Sequence, residues 1–123
     1  MKLKKIPCNF SICKVTDYPA SLLNVEYCFI GKTDEENSLV CPTSQVPASV
    51  LERDDGWAAF RIEGVLVFSL IGILAGISSL LAENQIAIFV VSTFHTDYIL
   101  VKKKHAEKAE QVLTDAGYEF LES

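Results

Sequence analysis

Asp97 heads an apolar run, Tyr98-Ile-Leu-Val101, and follows the polar pair His95-Thr96. An acid in that setting suits an ammonium or guanidinium partner, because a hydrogen bond to a charged group contributes roughly 1.5–3 kcal/mol. The plainer alternative is a turn aspartate satisfied by nearby backbone N–H groups, with Thr96 shaping the turn. A second candidate is Ser69-Leu70-Ile71-Gly72, which opens an apolar helical pattern. The first N–H groups of a helix are unpaired donors at the positive end of its dipole, so they can hold a ligand carboxylate, and Gly72 permits close approach. Ser69 also fits a helix N-cap, and the two roles are compatible.

Other chemistry is sparse. His95 and His105 have no Ser or Cys nucleophile at a recognisable spacing, and no phosphate-binding glycine loop, dinucleotide fingerprint or HExxH occurs, so no enzyme is expected. Cys8, Cys13, Cys28 and Cys41 form no CxxC and have no His at zinc-ligand spacing, which predicts neither metal nor cofactor. Each lies in a segment that reads as strand, as a small, reduced core hydrophobe. Sixteen acids against eleven Lys and Arg, a net charge of −5, oppose nucleic-acid binding, which works by neutralising phosphates. The basic clusters, Lys2, Lys4, Lys5 and Lys102 to Lys104, read as a solvated strand end and helix start.

The elements that would position these residues follow from periodicity. Residues 64–69 are strand-like, 70–83 an apolar helix, 86–102 a hairpin, 104–116 a charged helix and 118–121 a final strand. That order, βαββαβ, is the split ferredoxin-like plan of an α+β fold. In the first helix Leu70, Leu74, Ile77 and Leu81 form one stripe, while Gly72, Ala75, Gly76, Ser79 and Ala82 make the other side small. In the second, Ala106, Ala109, Val112, Leu113 and Ala116 face inward beneath alternating Lys and Glu. A membrane reading competes, since residues 64–82 carry no charge, approach the ~20 apolar residues of a bilayer span and contain a GxxxG. The flanks, with Arg61, Glu63 and Glu83 but no Lys/Arg cluster or aromatic belt, favour a helix packed on a sheet. The chain starts Met1-Lys-Leu-Lys-Lys without a secretory pattern, which predicts a cytoplasmic protein without membrane association.

Half of the residues are hydrophobic, enough to give a core to one domain or two small ones. In the first half, alternation at Cys8, Phe10 and Ile12 reads as strand, and residues 25–30 and 38–41 read as a hairpin around a polar loop. Arg53-Asp-Asp-Gly56 reads as a turn before a strand over 57–62. At an offset of 61 residues Gly56-Trp57 falls on Gly117-Tyr118, Leu39-Val40 on Leu100-Val101, and Glu36 on Asp97. The pattern predicts a duplication, with a degenerate module over 1–62 that has lost most of its helices and a complete one over 63–123. Glu36, crowded by Asp34, Glu35 and Asn37, reads as solvated.

Four stretches carry a family resemblance: Thr33-Asp-Glu-Glu-Asn-Ser-Leu-Val-Cys41, Gly56-Trp57, Val67-Phe-Ser-Leu-Ile-Gly-Ile-Leu-Ala75 and Ile88-Phe-Val-Val-Ser-Thr-Phe-His-Thr-Asp-Tyr-Ile-Leu-Val101. With them the chain resembles the ACT domains, and more closely the small stand-alone proteins with two ACT-like modules in tandem, akin to aspartokinase-type regulatory modules. The resemblance implies modules paired edge to edge, a homodimer, a regulatory role and a small amino acid or related metabolite as ligand. Ligands of that family sit between the strand-to-helix loop of one module and the second strand of its partner. That implies Ser69, Leu70, Ile71 and Gly72 on one side and Ile88, Thr96 and Asp97 on the other. The alternative is an interaction or oligomerisation module that binds no metabolite.

Overall fold

The structure is a computed structural model that describes residues 1–64 and 72–121. The chain forms two compact units, one of Met1–Pro7 with Ala58–Ser123 and the other of Cys8–Trp57. The division expected after residue 62 rests on the sequence repeat; the compact units instead place the first seven residues with the second half. Strand pairing is the reason. Strand β1 (Lys2–Lys5) lies antiparallel to β5 (Val50–Ile62), with Leu3 opposite Ile62, and parallel to β8 (Glu119–Leu121), with Leu3 opposite Phe120. Leu3 is fully buried there, so the expectation of a merely solvated lysine cluster misses a central strand.

In this first unit β8 is followed across the sheet by β1, the later part of β5, β7 (Asp97–Lys102) and β6 (Ile88–Ser92). Removing β1 leaves the order of a split ferredoxin-like sheet. Two helices, α1 (Ile73–Glu83) and α2 (Ala106–Asp115), join Leu3, Phe60, Ile62, Ile99 and Val101 in one core through Ile77, Leu81, Ala109 and Leu113. Each fully buried Leu or Ile there contributes about 1.5–3 kcal/mol. On the small side of α1 a Cβ at Gly76 would stand 3.4 Å from the Tyr118 hydroxyl. Among the described residues no helix is long and apolar enough to cross a membrane. Of the strand expected over 64–69 only Gly64 (φ 88) is among the described residues; 65–69 and the first two helix positions, 70 and 71, lie outside them.

Both helices stop in the same way. Past α2, Gly117 (φ 101) is left-handed, its N–H donates to Thr114 O at 3.0 Å, and Tyr118 N–H donates to Leu113 O at 3.0 Å. Past α1, Gln85 (φ 60) takes the left-handed place, its N–H donates to Ala82 O at 3.0 Å, and Ile86 N–H donates to Leu81 O at 2.9 Å. These paired bonds satisfy carbonyls that a helix end leaves open, and the buried Ile86 and Leu81 sit in one core.

The second unit has strand order β3 (Phe29–Lys32), β4 (Asn37–Pro42), β2 (Phe10–Val15) and the earlier part of β5. Its core is Cys13, Val15, Leu22, Leu39 and Cys41, flanked by Tyr18, Val25, Cys28, Val46 and Val50. Short 3₁₀ turns at Ala20–Asn24 and Thr43–Gln45 stand where the first unit has longer helical segments. Arg53 to Gly56 does not turn the chain, as the sequence suggested, but continues β5 through a bulge. Phe10 pairs with Trp57 and Ile12 with Asp54, so the register shifts at Ser11, and Gly56 takes φ 82. The fully buried Ser11 hydroxyl holds the bulge by donating to Asp55 Oδ1 at 2.5 Å and bonding Thr43 Oγ1 at 2.9 Å. An Asp-Asp-Gly run is compatible with either outcome, and the strands on both sides decide it.

Candidate functional site

The turn between β6 and β7 is built locally. Thr93 N–H donates to Thr96 O at 2.8 Å, and Thr93 Oγ1 donates to the same carbonyl at 3.2 Å. Thr96 Oγ1 in turn donates to Ile62 O at 2.6 Å, which ties the start of β7 to the end of β5. Asp97, half-buried, accepts a 2.6 Å hydrogen bond on Oδ1 from Ser92 Oγ, its partner directly across the β6–β7 ladder. One hydroxyl does not saturate a carboxylate, which has about four acceptor positions. Asp97 alternates with Tyr98 and therefore shares the sheet face of Ile99 and Val101, the face that the helices cover.

On the neighbouring β5 the other sheet face carries Arg61, which in the sequence is only a charged flank of the apolar run. Its guanidinium donates to the Tyr98 hydroxyl at 3.3 Å and to Glu63 Oε1 at 3.1 Å, and lies 5.8 Å from the Tyr98 ring centroid. The Tyr98 hydrogen bond, and then that of Glu63, hold the Arg61 pKa above its ordinary value against the lowering effect of burial. Charge stays fixed at this brace. Arg61 and Glu63 flank the buried Ile62, and that i, i+2 spacing on a strand was the available signal.

Gly72 lies at the same end of the unit as Asp97, by connectivity. Helix α1 rises about 16 Å over its length and ends at Glu83, a few residues before Ile88. Ile88 pairs with Val101, the end of the ladder remote from Asp97 and Ser92, about 13 Å along the strand. The helix therefore begins near the Asp97 end. Its cap falls on Gly72 (φ 86), not on the expected Ser69, and Gly72 has no side chain with which to cap it; the first turn holds no acid. Ser69, Leu70 and Ile71 lie outside the described residues. The fold thus gathers Thr96, Asp97 and the Gly72 start of α1 at one end. Ile88 it sets apart, half-buried against the core.

The first-half hairpin repeats the threonine bonds of this turn. Thr33 N–H donates to Glu36 O at 3.0 Å, Thr33 Oγ1 to Glu36 O at 3.3 Å, and Lys32 Nζ to Asn37 Oδ1 at 3.2 Å. The counterpart of Asp97 is therefore Asn37, one residue beyond the Glu36 suggested by the sequence offset, which Gly56 and Gly117 had set. Glu36 itself is exposed. The duplicate position carries an amide that accepts from an ammonium, where Asp97 carries a charge.

Comparison with known proteins follows this geometry. The model of the ACT domain family matches residues 52–115. Protein Atu0741 from Agobacterium tumefaciens is 34% identical, with 99% of this chain and 92% of that one covered at a TM-score of 0.88. The ligand-free regulatory subunit of aspartate kinase from Thermus thermophilus shares the fold at a TM-score of 0.64 with 12% identity, covering 94% and 96% of the two chains. VC0802 from Vibrio cholerae, described as of unknown function and a possible transport protein, shares it at 0.69 with 20% identity and coverages of 90% and 85%. A search of the curated proteins found no match. With more than half of its length matched by the family model, and with a split ferredoxin-like sheet under two helices, the chain belongs to the ACT domain family.

Proposed function

We propose that the chain is a regulatory protein of tandem ACT-like modules that binds a small amino acid, or a related zwitterionic metabolite, at the Asp97 end of its first unit. The observation that carries this reading is the pairing of opposite preferences at one place. The N-terminus of α1, with a glycine at its cap and no acid in its first turn, favours a carboxylate, and Asp97, held by Ser92, favours an ammonium. Thr96 and Gly72 shape the site, and Ser69, Leu70 and Ile71, outside the described residues, are proposed with them as ligand-binding residues. No residue is assigned a catalytic step. The named role of the Thermus thermophilus protein, a regulatory subunit, supports a regulatory reading. Four free cysteines fit a reducing cytoplasm.

Thermal-shift screening of the purified chain against the twenty amino acids tests this. A ligand at ~100 times its Kd adds about 2.7 kcal/mol of stability, which raises Tm by several degrees. A shift confined to one or two amino acids supports the site and names its effector; a flat screen with folded protein removes it. A second reading, association without a metabolite, rests on β6. Among the described residues β6 pairs with β7 alone, and Ile88, Phe89, Val90 and Val91 are each partly exposed on it. An apolar strand edge is a template for pairing with another copy, which is where Ile88 would meet a partner. Sedimentation of the ligand-free chain as a monomer would remove this second reading.

A further inference from the structure

Three of the four cysteines converge on the core of the second unit. Cys13 and Cys41 are buried in it and Cys28 packs against it, half-buried. The β3–β4 ladder sets Ile30 opposite Leu39 and Phe29 opposite Val40. Continuing that register by one step puts Cys28 directly across from Cys41, on the same sheet face. Directly opposed residues have Cβ atoms about 4.5–5.5 Å apart, and a disulfide needs about 3.5–4.5 Å, so closure asks for a shift of roughly 1 Å. The chain at Cys28 can supply it, because the residue lies just outside the ladder, next to Tyr27 with its left-handed φ of 59. Cys13 is placed differently. In the β2–β4 ladder it faces Leu39, while Cys41 faces Ser11, so Cys13 lies on the diagonal from Cys41, its thiol within hydrogen-bond reach of the Cys41 thiol but its Cα about 7–8 Å away. It is also held inside a strand paired on both sides. A bridge from there requires backbone movement. Among the described residues no group of three or more His, Cys, Asp or Glu is arranged to hold a metal ion, which leaves thiol chemistry.

We propose that Cys28 and Cys41 form a redox pair, which a peroxide converts into a disulfide closing the open end of the β3–β4 hairpin. Cys28 reacts first because it is the member that solvent reaches. Its thiolate Sγ attacks one peroxide oxygen and the O–O bond breaks. The sulfur becomes a sulfenic acid, and the other oxygen leaves as hydroxide, which takes up the thiol proton as water. Cys41 Sγ then attacks the sulfenic sulfur; the S–S bond forms, the S–O bond breaks, and the hydroxyl departs with the Cys41 proton as a second water. The two thiols lose two electrons and the peroxide gains them. Burial pushes the Cys28 thiol up as well, and burial and then the neighbouring Cys13 and Cys28 thiols push Cys41 up to about 12, so thiolate is scarce at Cys41. A small thiol reductant reopens the bridge. The edge strand β3 is thereby fastened to β4 beyond its last backbone pair, a change confined to one hairpin.

Trypsin separates the thiols for a direct test, since Cys28 falls in residues 15–32, Cys41 in 33–53, and Cys8 with Cys13 in 6–14. The full chain is reduced, exposed to hydrogen peroxide in its folded state, alkylated, digested and weighed by mass spectrometry. The expected product is a 15–32 to 33–53 linked peptide pair that dithiothreitol releases, that Cys28→Ser abolishes and that Cys13→Ser retains. Cys28→Ser alters a half-buried site, so it carries the test if Cys41→Ser does not fold. A bridge to 6–14 in place of this one overturns the proposal. So does irreversible oxidation of Cys28 without any bridge, or a bridge that appears only after the chain is unfolded in urea.

Discussion

The two helix ends of the first unit are a matched pair that differs in one residue type. Gln85 and Gly117 occupy the same left-handed position in the same pair of hydrogen bonds, at φ 60 and φ 101. A residue with a Cβ gives up roughly 1–2 kcal/mol in that region, whereas glycine does not. Replacing Gln85 by Gly relieves this, and the more flexible unfolded chain offsets it by about 0.4–1 kcal/mol, leaving a net gain near 0.5–1 kcal/mol. The exposed Gln85 side chain makes no hydrogen bond among the described residues that its loss would remove. Gly117→Ala runs the other way. An added Cβ there meets nothing within 4 Å, so its cost is purely conformational, about 1–2 kcal/mol or slightly more. Unfolding entropy near 2.1 cal/mol/K per residue converts 1 kcal/mol into a Tm change of about 4 °C for a chain of this length. Gln85→Gly should therefore melt about 2–4 °C higher than the parent and Gly117→Ala about 4–8 °C lower. Urea titrations of both variants, with unchanged m-values, should give the same order. Both changes lie in one unit, so the comparison does not depend on the other. If Gln85→Gly proves less stable than the parent at equal m, the strain argument for this cap is wrong.

At the proposed ligand site, Asp97→Asn should leave the circular dichroism and Tm of the free protein nearly unchanged while weakening an amino-acid ligand by 10-fold or more, the equivalent of about 1.5–3 kcal/mol; equal affinity by calorimetry would remove Asp97 from recognition. Gly72→Val places a β-branched residue at φ 86, where strain of about 1–2 kcal/mol is expected, and it should lower Tm and ligand affinity together, more severely than Asp97→Asn. In the other unit, Ser11→Ala deprives Asp55 of a buried donor and Thr43 of its partner, so urea denaturation should show a loss of about 1–3 kcal/mol; a neutral result would mean that the bulge does not depend on this hydroxyl.

What the sequence revealed of this fold was whatever a single segment decides for itself. Apolar runs marked β7 and its hairpin, and a 3.6-residue period marked α1 and α2, whose buried Ile77, Leu81, Ala109 and Leu113 are residues of the expected stripes. What it hid depends on partners distant in the chain. Strand β1 has one buried residue between lysines, and only Ile62 on one side and Phe120 on the other make it a strand. The Arg53 to Gly56 run is a turn by local preference and a bulge because β2 holds both of its ends. Family resemblance named Ile88 and Asp97 together, yet the ladder puts them at opposite ends of one hairpin, so within one chain they cannot hold the same small ligand. That separation has a consequence for assembly. If both residues take part in recognition, Ile88 must act through a neighbouring copy, and the ligand's affinity must then depend on protein concentration. Titrations at two protein concentrations that straddle the dimerisation constant would show this dependence; affinity that stays constant would confine the site to Asp97, Thr96 and the start of α1, and leave Ile88 to packing.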